Sequence, residues 1–223
     1  MRDVKVKKNG KRLIVKLKDG SKMEFRRVKK YKDGTWRYDS RDTAFESRWN
    51  DDGGTEGGYF ESDLCRRTER FINSLPDDLA DSIEPVLRTS VDSDGKEVQR
   101  ETKVFVPDAS EIFPDDGDNS FFAHPYKQLK YYKNARNRAR LDENGDIDWY
   151  WTASAPSGAS TNACLVYGGG YANYAGATGA LRVPVCFHIN SAKLSIRAKR
   201  DKSPDCRVGR KKRRSGIMIT VRK

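Results

Sequence analysis

Residues 149–189 read WYWTASAPSGASTNACLVYGGGYANYAGATGALRVPVCFHI, and the two ends of this stretch differ in kind from its middle. Trp149, Trp151, Val166, Val183, Val185 and Phe187 are apolar and alternate along the chain, which suits strands packed in a core. The centre is Gly, Ala, Ser, Asn and Tyr, a composition that gives rigid contact area and adaptable hydrogen bonding at low entropy cost. The pattern predicts a buried frame carrying a ligand-display face rather than a catalytic cleft. The expected face residues are Tyr150, Thr152, Ser157, Ser160, Tyr167, Tyr171, Asn173 and Tyr174. Aromatics of this kind equally suit a core or a subunit interface.

The same stretch resembles the closing segment of C-type-lectin-like domains found in phages, prophages and gut bacteria, where the pattern runs roughly YWWLRSP, then N-x-x-x-V-x-x-x-G, then VRPxxxI. The matching features are Trp149-Tyr150-Trp151 with Ser154, the run Asn162 to Tyr167 before a Gly-rich turn, and Leu181-Arg182-Val183-Pro184. Upstream, Phe71 to Pro76 and Lys103 to Phe113 are similar to that family's FLNSLP helix and its KLFLLSxxEIF strand and turn. The resemblance covers roughly residues 49–189. Thr152-Ala153 stands where the family has Leu-Arg, and Val183 separates Arg182 from Pro184. The resemblance implies an α+β, C-type-lectin-like domain that recognises a protein or glycan on a cell surface, without an enzymatic step.

Charge divides the 223-residue chain into three parts. Residues 1–38 hold 15 Lys/Arg and 4 Asp/Glu, residues 192–223 hold 13 and 2, and residues 39–191 hold 16 and 26. An acidic centre of −10 thus lies between two basic flanks of +11 each. Such flanks attract polyanions by counterion release and long-range steering. They can equally dock on acidic protein, or remain solvated. The expected domains are a basic β-meander over 1–38, a C-type-lectin-like domain over 39–191 and a basic C-terminal arm over 192–223. Within the arm, Lys199, Arg200, Arg210, Lys211, Lys212, Arg213 and Arg214 are the expected polyanion or assembly contacts, and Ile217 to Val221 is a β-prone run.

No apolar run is long enough to cross a bilayer, and the start has no secretory pattern. The expectation is a protein made in a host cytoplasm and associated with a virion, with no membrane insertion.

Local signals set the remaining elements. Asn9-Gly10, Asp19-Gly20 and Asp33-Gly34 suit hairpin turns between short alternating runs, predicting a four-stranded antiparallel meander over residues 3–38. Residues 39–60 and 114–125 have loop composition. A helix is predicted from Glu61 with Ser62 as cap, and its apolar side is Leu64, Thr68, Phe71, Ile72 and Leu75. A second short helix should begin at Pro76, bury Leu79 and Ile83, and stop at Pro85. Val86 to Val91 and Val98 to Val106 read as strands around Asp94-Gly95. Residues 126–141 read as a polar helix or helical turn. There Lys127, Lys130, Lys133, Arg136, Arg138 and Arg140 lie among Tyr126, Tyr131 and Tyr132, a mixture that binds nucleic acid or packs its tyrosines inward.

Catalytic signatures are scarce. No phosphate-cradling, zinc-protease or nucleophile-elbow motif is present. Cys65, Cys164, Cys186 and Cys206 form no Cys-x-x-Cys pair, and with only His124 and His188 beside them the expectation is buried free thiols and no structural zinc. Asp142 to Asp148 is rich in oxygen ligands, but Gly145 falls too early for a calcium loop and suits an Asn-Gly turn. The composition predicts no cofactor and no metal. The competing expectation is an assembly or nucleic-acid-binding protein whose basic arms do the main work on a lectin-like scaffold.

Overall fold

A computed structural model describes residues 3–7, 10–142 and 144–194; the expected arm contacts Lys199 to Arg214 lie outside the described residues. Gly10, Gly20 and Gly34 all take positive φ, and around them run β1 (Val4–Lys7), β2 (Arg12–Lys16), β3 (Lys22–Lys30) and β4 (Thr35–Ser40). This is the antiparallel meander that the turn dipeptides predict. Asp19 and Asp33 accept from the backbone N–H two residues on, so the side chains close the turns. Gly10 is required twice over, because its φ is +74° and an added Cβ would sit 2.2 Å from the Trp36 ring.

The chain continues through β5 (Phe45–Arg48), α1 (Gly58–Glu61), α2 (Asp63–Arg70) and α3 (Asp77–Ala80). Next come β6 (Ile83–Glu84), β7 (Val86–Val91), β8 (Glu97–Thr102), β9 (Val104–Phe105) and α4 (Ala109–Ile112). The last third holds β10 (Arg140–Leu141), β11 (Ile147–Asp148), β12 (Tyr150–Trp151), β13 (Asn162–Val166), β14 (Ala172–Gly176), β15 (Ala180–Val183) and β16 (Cys186–Asn190). The architecture is mixed α+β and mostly sheet.

Two sheets carry the core. The larger is ordered β1-β2-β3-β4-β16-β6, with β9 also on β16; the smaller is β14-β13-β12-β15-β5. β4 pairs along its length with β16, so the meander and the last strand of the described residues are one continuous sheet. Leu13, Val15 and Phe25 of the meander pack with Phe187, Ile189, Leu75 and Leu79 in one cluster, and all are buried. A second cluster joins Trp49, Leu64, Trp151, Leu165 and Val183. The third joins Ile112, Phe113, Leu129, Tyr132, Tyr150 and Val166. Alternate residues of β13 serve the second and third clusters, so the middle of the small sheet is covered on both faces.

Ser62 caps α2 as expected, its Oγ accepting from Cys65 N at 3.0 Å. Several expectations are corrected. Residues 45–48 are a strand, not loop, and pair with β15. Ile83 belongs to β6 rather than to the helix before it. The strand expected over 98–106 breaks at Lys103, with β8 pairing β7 and β9 pairing β16. Of the two readings of residues 126–141 the helical turn is the one observed, as the 3₁₀ turns Lys130–Lys133 and Ala135–Asn137, and Arg140–Leu141 is a strand. Asparagine side chains explain this: Asn134 Oδ1 accepts from Arg136 N and Asn137 Nδ2 donates to Tyr131 O, competing with helical backbone bonds.

A buried charged lattice ties β4 to β7, β10, α4 and the Lys130–Lys133 turn. Arg37 donates to Asp39 through Nε (2.7 Å) and Nη2 (3.1 Å), and to Glu111 through Nη1. Arg88 grips Glu111 with two bonds of 2.7 and 2.8 Å. Tyr132 Oη donates to Asp39 Oδ2 at 2.6 Å, and Arg140 Nη2 donates to Tyr132 Oη at 2.7 Å. Every formal charge here has a partner of opposite sign or a phenol, which is how ions are tolerated inside a protein.

Candidate functional site: the aromatic hairpin face

β13 and β14 form a hairpin whose turn spans Tyr167 to Tyr171. Gly170 N donates to Tyr167 O at 2.7 Å and Tyr167 N to Tyr171 O at 2.9 Å. Gly170 has φ +81°, and a Cβ there would lie 3.0 Å from Ala135 O, so the turn presses on the 3₁₀ segment behind it. Arg138 joins the two segments, its Nη1 donating to Gly170 O at 3.4 Å.

Around this turn the chain leaves large apolar side chains in solvent. Tyr171 is 70% exposed, Tyr174 50%, Tyr167 42% and Trp149 39%, and Ile147 is exposed beside them. The Trp149 and Tyr167 rings lie 4.4 Å apart, and Tyr174 lies 5.5 Å from Phe121. Beneath Tyr171 is a cleft of 280 Å³ lined by Phe113, Asp116, Asn119 and Arg138. Exposed aromatics gathered beside a cleft are the kind of patch that marks interaction surfaces.

Tyr167, Tyr171, Asn173 and Tyr174 of the expected face all lie on this hairpin, but Asn173, opposite Leu165, and Tyr174, opposite Cys164, point to different sides of the sheet. Ser157 is exposed nearby, its N–H donating to Phe121 O at 2.8 Å. Ser160 precedes the far end of the hairpin, where its carbonyl accepts from Thr55 N.

Three assignments are corrected. Tyr150 is wholly buried: its hydroxyl donates to Arg138 O at 2.6 Å and its ring lies 5.5 Å from the Arg140 guanidinium. Thr152 is wholly buried too, with its Oγ1 donating to Cys164 O at 2.9 Å. Trp149, expected in the frame, is exposed. It shares strand parity with Trp151, and the register that sets Trp151 opposite Leu165 and Tyr150 opposite Val166 brings Trp149 opposite Tyr167, one pair beyond the edge of the core. Trp151, Val166, Val183, Val185 and Phe187 are buried frame.

Ile147, Phe121 and Arg138 were not expected at this face. The Asp142-Asn144-Gly145 turn was the available signal for Ile147, because it forms the β10–β11 ribbon that exposes it.

A hydrogen-bonded post supports the face from behind. Ser154 Oγ donates to Asp108 Oδ2 at 2.8 Å and accepts from Ala109 N at 2.9 Å, while Ser154 O accepts from Cys164 N. Burial pushes the Asp108 carboxyl up to about 6, against the opposing pull of its bonds from Ser110 and Ser154. The folded chain therefore keeps a proton here that the unfolded chain releases above the ordinary value of 3.8. The contribution of this group to stability falls as pH rises from about 4 to about 6. In Asp108→Asn that opposing slope is gone, so stability should climb more steeply with pH over this window, by up to about 1.4 kcal/mol per pH unit. Urea unfolding at pH 4, 5 and 6 checks this; parallel curves for both proteins would mean that Asp108 ionises normally.

The thiols of Cys65, Cys164 and Cys186 are free and buried. Burial raises all three, Cys65 to about 12, which disfavours the reactive thiolate. Among the described residues no group of His, Cys, Asp and Glu is placed to hold a metal ion. None of the described helices is long and apolar enough to cross a membrane.

A family model described as Domain of unknown function (DUF6273) matches residues 33–191. The chain belongs to the DUF6273 family. Its DUF6273 region begins in the turn before β4 and ends just after β16, so the β4–β16 pairing closes the region on itself. β1 to β3 lie outside the match and extend the DUF6273 sheet by three strands. No curated protein and no solved structure matches the chain.

Proposed function

We propose that this protein is a non-enzymatic recognition or decoration module of phage or prophage origin. Its 39–191 region would have a C-type-lectin-like fold and bind a protein or glycan on a cell surface. The observation that carries this reading is that one hairpin and its neighbours expose several aromatics, with Trp149 against Tyr167, Tyr171 in the glycine turn and Tyr174 against Phe121. Aromatic anchors on a rigid scaffold contribute binding energy at little entropic cost. Support for the fold reading comes from the positions that carry the resemblance. Phe71–Ser74 closes the helical segment as a 3₁₀ turn, Val104–Phe105 is a strand leading to the Asp108-capped α4, and Trp151 is buried where the small sheet packs on α1 and α2.

The basic arms would anchor the module to an acidic assembly. In the meander Val4, Leu13, Val15, Met23 and Phe25 are packed in the protein's own core, while Lys5, Lys7, Lys16, Lys22 and Lys30 remain exposed. Such a surface attaches through charge rather than through strand exchange.

Two measurements test this reading: co-sedimentation of the protein with assembled phage particles, and its retention on DNA as salt is raised. We expect particle association, with DNA retention lost steeply below physiological salt. Tight, sequence-independent DNA binding at physiological salt would favour the arms as the functional element and reduce the lectin-like domain to a scaffold.

A further inference from the structure

A second cleft, of 260 Å³, lies where β3 and the segment after β4 meet the 3₁₀ turns and the β10–β11 ribbon. Arg26, Arg41, Arg136 and Arg140 line it together with Tyr131, and among the described residues no carboxylate does. Hydrogen bonds gather these arginines from three segments of the chain. Arg41 N donates to Glu24 O at 2.8 Å, beside Arg26 of β3, and Thr43 N donates to Leu141 O at 3.0 Å, which brings Arg140 alongside. The Arg26 guanidinium meets the Tyr131 hydroxyl, and Asn137 Nδ2 donates to Tyr131 O at 2.7 Å, so the turn that carries Arg136 is tied to the same wall.

Three of the four guanidiniums reach solvent. The Arg26 side chain is 37% exposed and that of Arg41 42%, and Arg136 is exposed as well. Arg140 is buried, with Nη2 on the Tyr132 hydroxyl, so it adds its charge to the wall but no open donor.

This positive charge is poorly answered by the protein itself. Glu24 is shared between Arg12 and Arg26. Asp42 stands 3.8 Å from Arg41, beyond hydrogen-bond reach, and Arg136 and Arg140 have no carboxylate partner among the described residues. The acids of the neighbouring ribbon face other groups: Asp142 accepts from Asn144 N and Asp146 N, and Asp148 from Trp149 N and Arg182 Nε. Charges of one sign around a narrow cleft focus their field into it, which favours a bound anion. Arginine, unlike lysine, presents planar forks of N–H donors that match oxyanion geometry.

We infer that this cleft holds a tetrahedral oxyanion, a phosphate or sulfate group, between Arg26, Arg41 and Arg136. A carboxylate has two oxygens and is satisfied by a single guanidinium fork. A tetrahedral oxyanion presents acceptors on several sides at once, which is what forks from three segments can use.

The test titrates the full-length protein at pH 7 and constant ionic strength with inorganic phosphate, and in a parallel series with sulfate, following the arginine Nε–Hε resonances by NMR. Acetate is the carboxylate comparison. Saturable shifts of the Arg26, Arg41 and Arg136 resonances are expected with phosphate or sulfate, the tighter of the two naming the group, and acetate should bind roughly tenfold more weakly or worse. Arg136→Ala, an exposed change, should weaken binding roughly tenfold. Arg136→Lys, which keeps the charge and loses the fork, should also lose affinity. Lys16→Ala, an equal loss of charge on the exposed meander, and Tyr171→Ala on the hairpin should leave binding unchanged. Shifts that grow linearly without saturating would overturn the assignment. So would acetate binding as well as the tetrahedral ions, or Lys16→Ala weakening binding as much as Arg136→Ala, since each is the behaviour of a diffuse basic surface.

Discussion

Glu111→Ala should unfold this protein or come close to it. The carboxylate is the shared acceptor for Arg37 and Arg88, both of them buried, and it also takes Asp108 N at 3.1 Å. Removing it strands the Arg88 guanidinium where little water reaches, and leaves Arg37 with Asp39 as its only carboxylate partner. Breaking a buried pair in this way costs about 3–5 kcal/mol, a large part of the roughly 5–15 kcal/mol that holds a domain folded. Burial alone would raise the Glu111 carboxyl, but Arg37 and Arg88 overcome it and hold the pKa well below the ordinary 4.5. Its contribution is thus present above about pH 4.5 and lost on acidification. Thermal melts at pH 7 read the effect directly: a variant melting within a few degrees of the original protein would mean that Arg37 and Arg88 are not held by this carboxylate.

Trp151→Ala is expected to be nearly as severe. Its ring is wholly buried in the cluster with Trp49, Leu165 and Val183, and its Nε1 donates to Ser47 O at 2.9 Å. Truncating a large core aromatic costs about 3–5 kcal/mol, and here the Ser47 carbonyl also loses its donor. β12 pairs with β13 on one side and β15 on the other, so the cavity opens in the middle of the small sheet. Urea unfolding quantifies the loss; Trp151→Phe should fall between the alanine variant and the original. An alanine variant as stable as the parent would place this strand outside the core.

The contrast between Trp151 and its neighbours shows what was legible in the sequence. Where one face of a strand meets a core and the other meets water, alternation reports the structure faithfully: Leu13, Val15 and Phe25 are buried as the meander pattern demands. The turn dipeptides and the Ser62 cap are equally local and equally readable. Tyr150 and Thr152 defeat the same reasoning because the small sheet is covered on both faces, so opposite parity to Trp151 no longer means exposure. Trp149 defeats it from the other side, since its parity is that of Trp151 but the core ends before it. At 126–141 the sequence left a helix or a helical turn open, and Asn134 and Asn137 favour 3₁₀ turns through their own side-chain bonds. Tyr167, Tyr171 and Tyr174 were readable from composition, whereas a 570 Å³ cleft lined by His188 draws on five separated segments and has no local signature.

The claim that the hairpin face is the recognition surface is tested most directly by comparing the protein with its Tyr167→Ala/Tyr171→Ala/Tyr174→Ala variant for binding to a panel of bacterial cells, at physiological salt and with melting curves recorded for both. Exposed side chains away from structural features change stability by about 0.5 kcal/mol or less each, so the two melting curves should nearly coincide. Binding should fall at least tenfold, because exposed aromatic anchors of this kind contribute to recognition rather than to folding. A variant that melts normally and binds cells as well as the original would contradict the account.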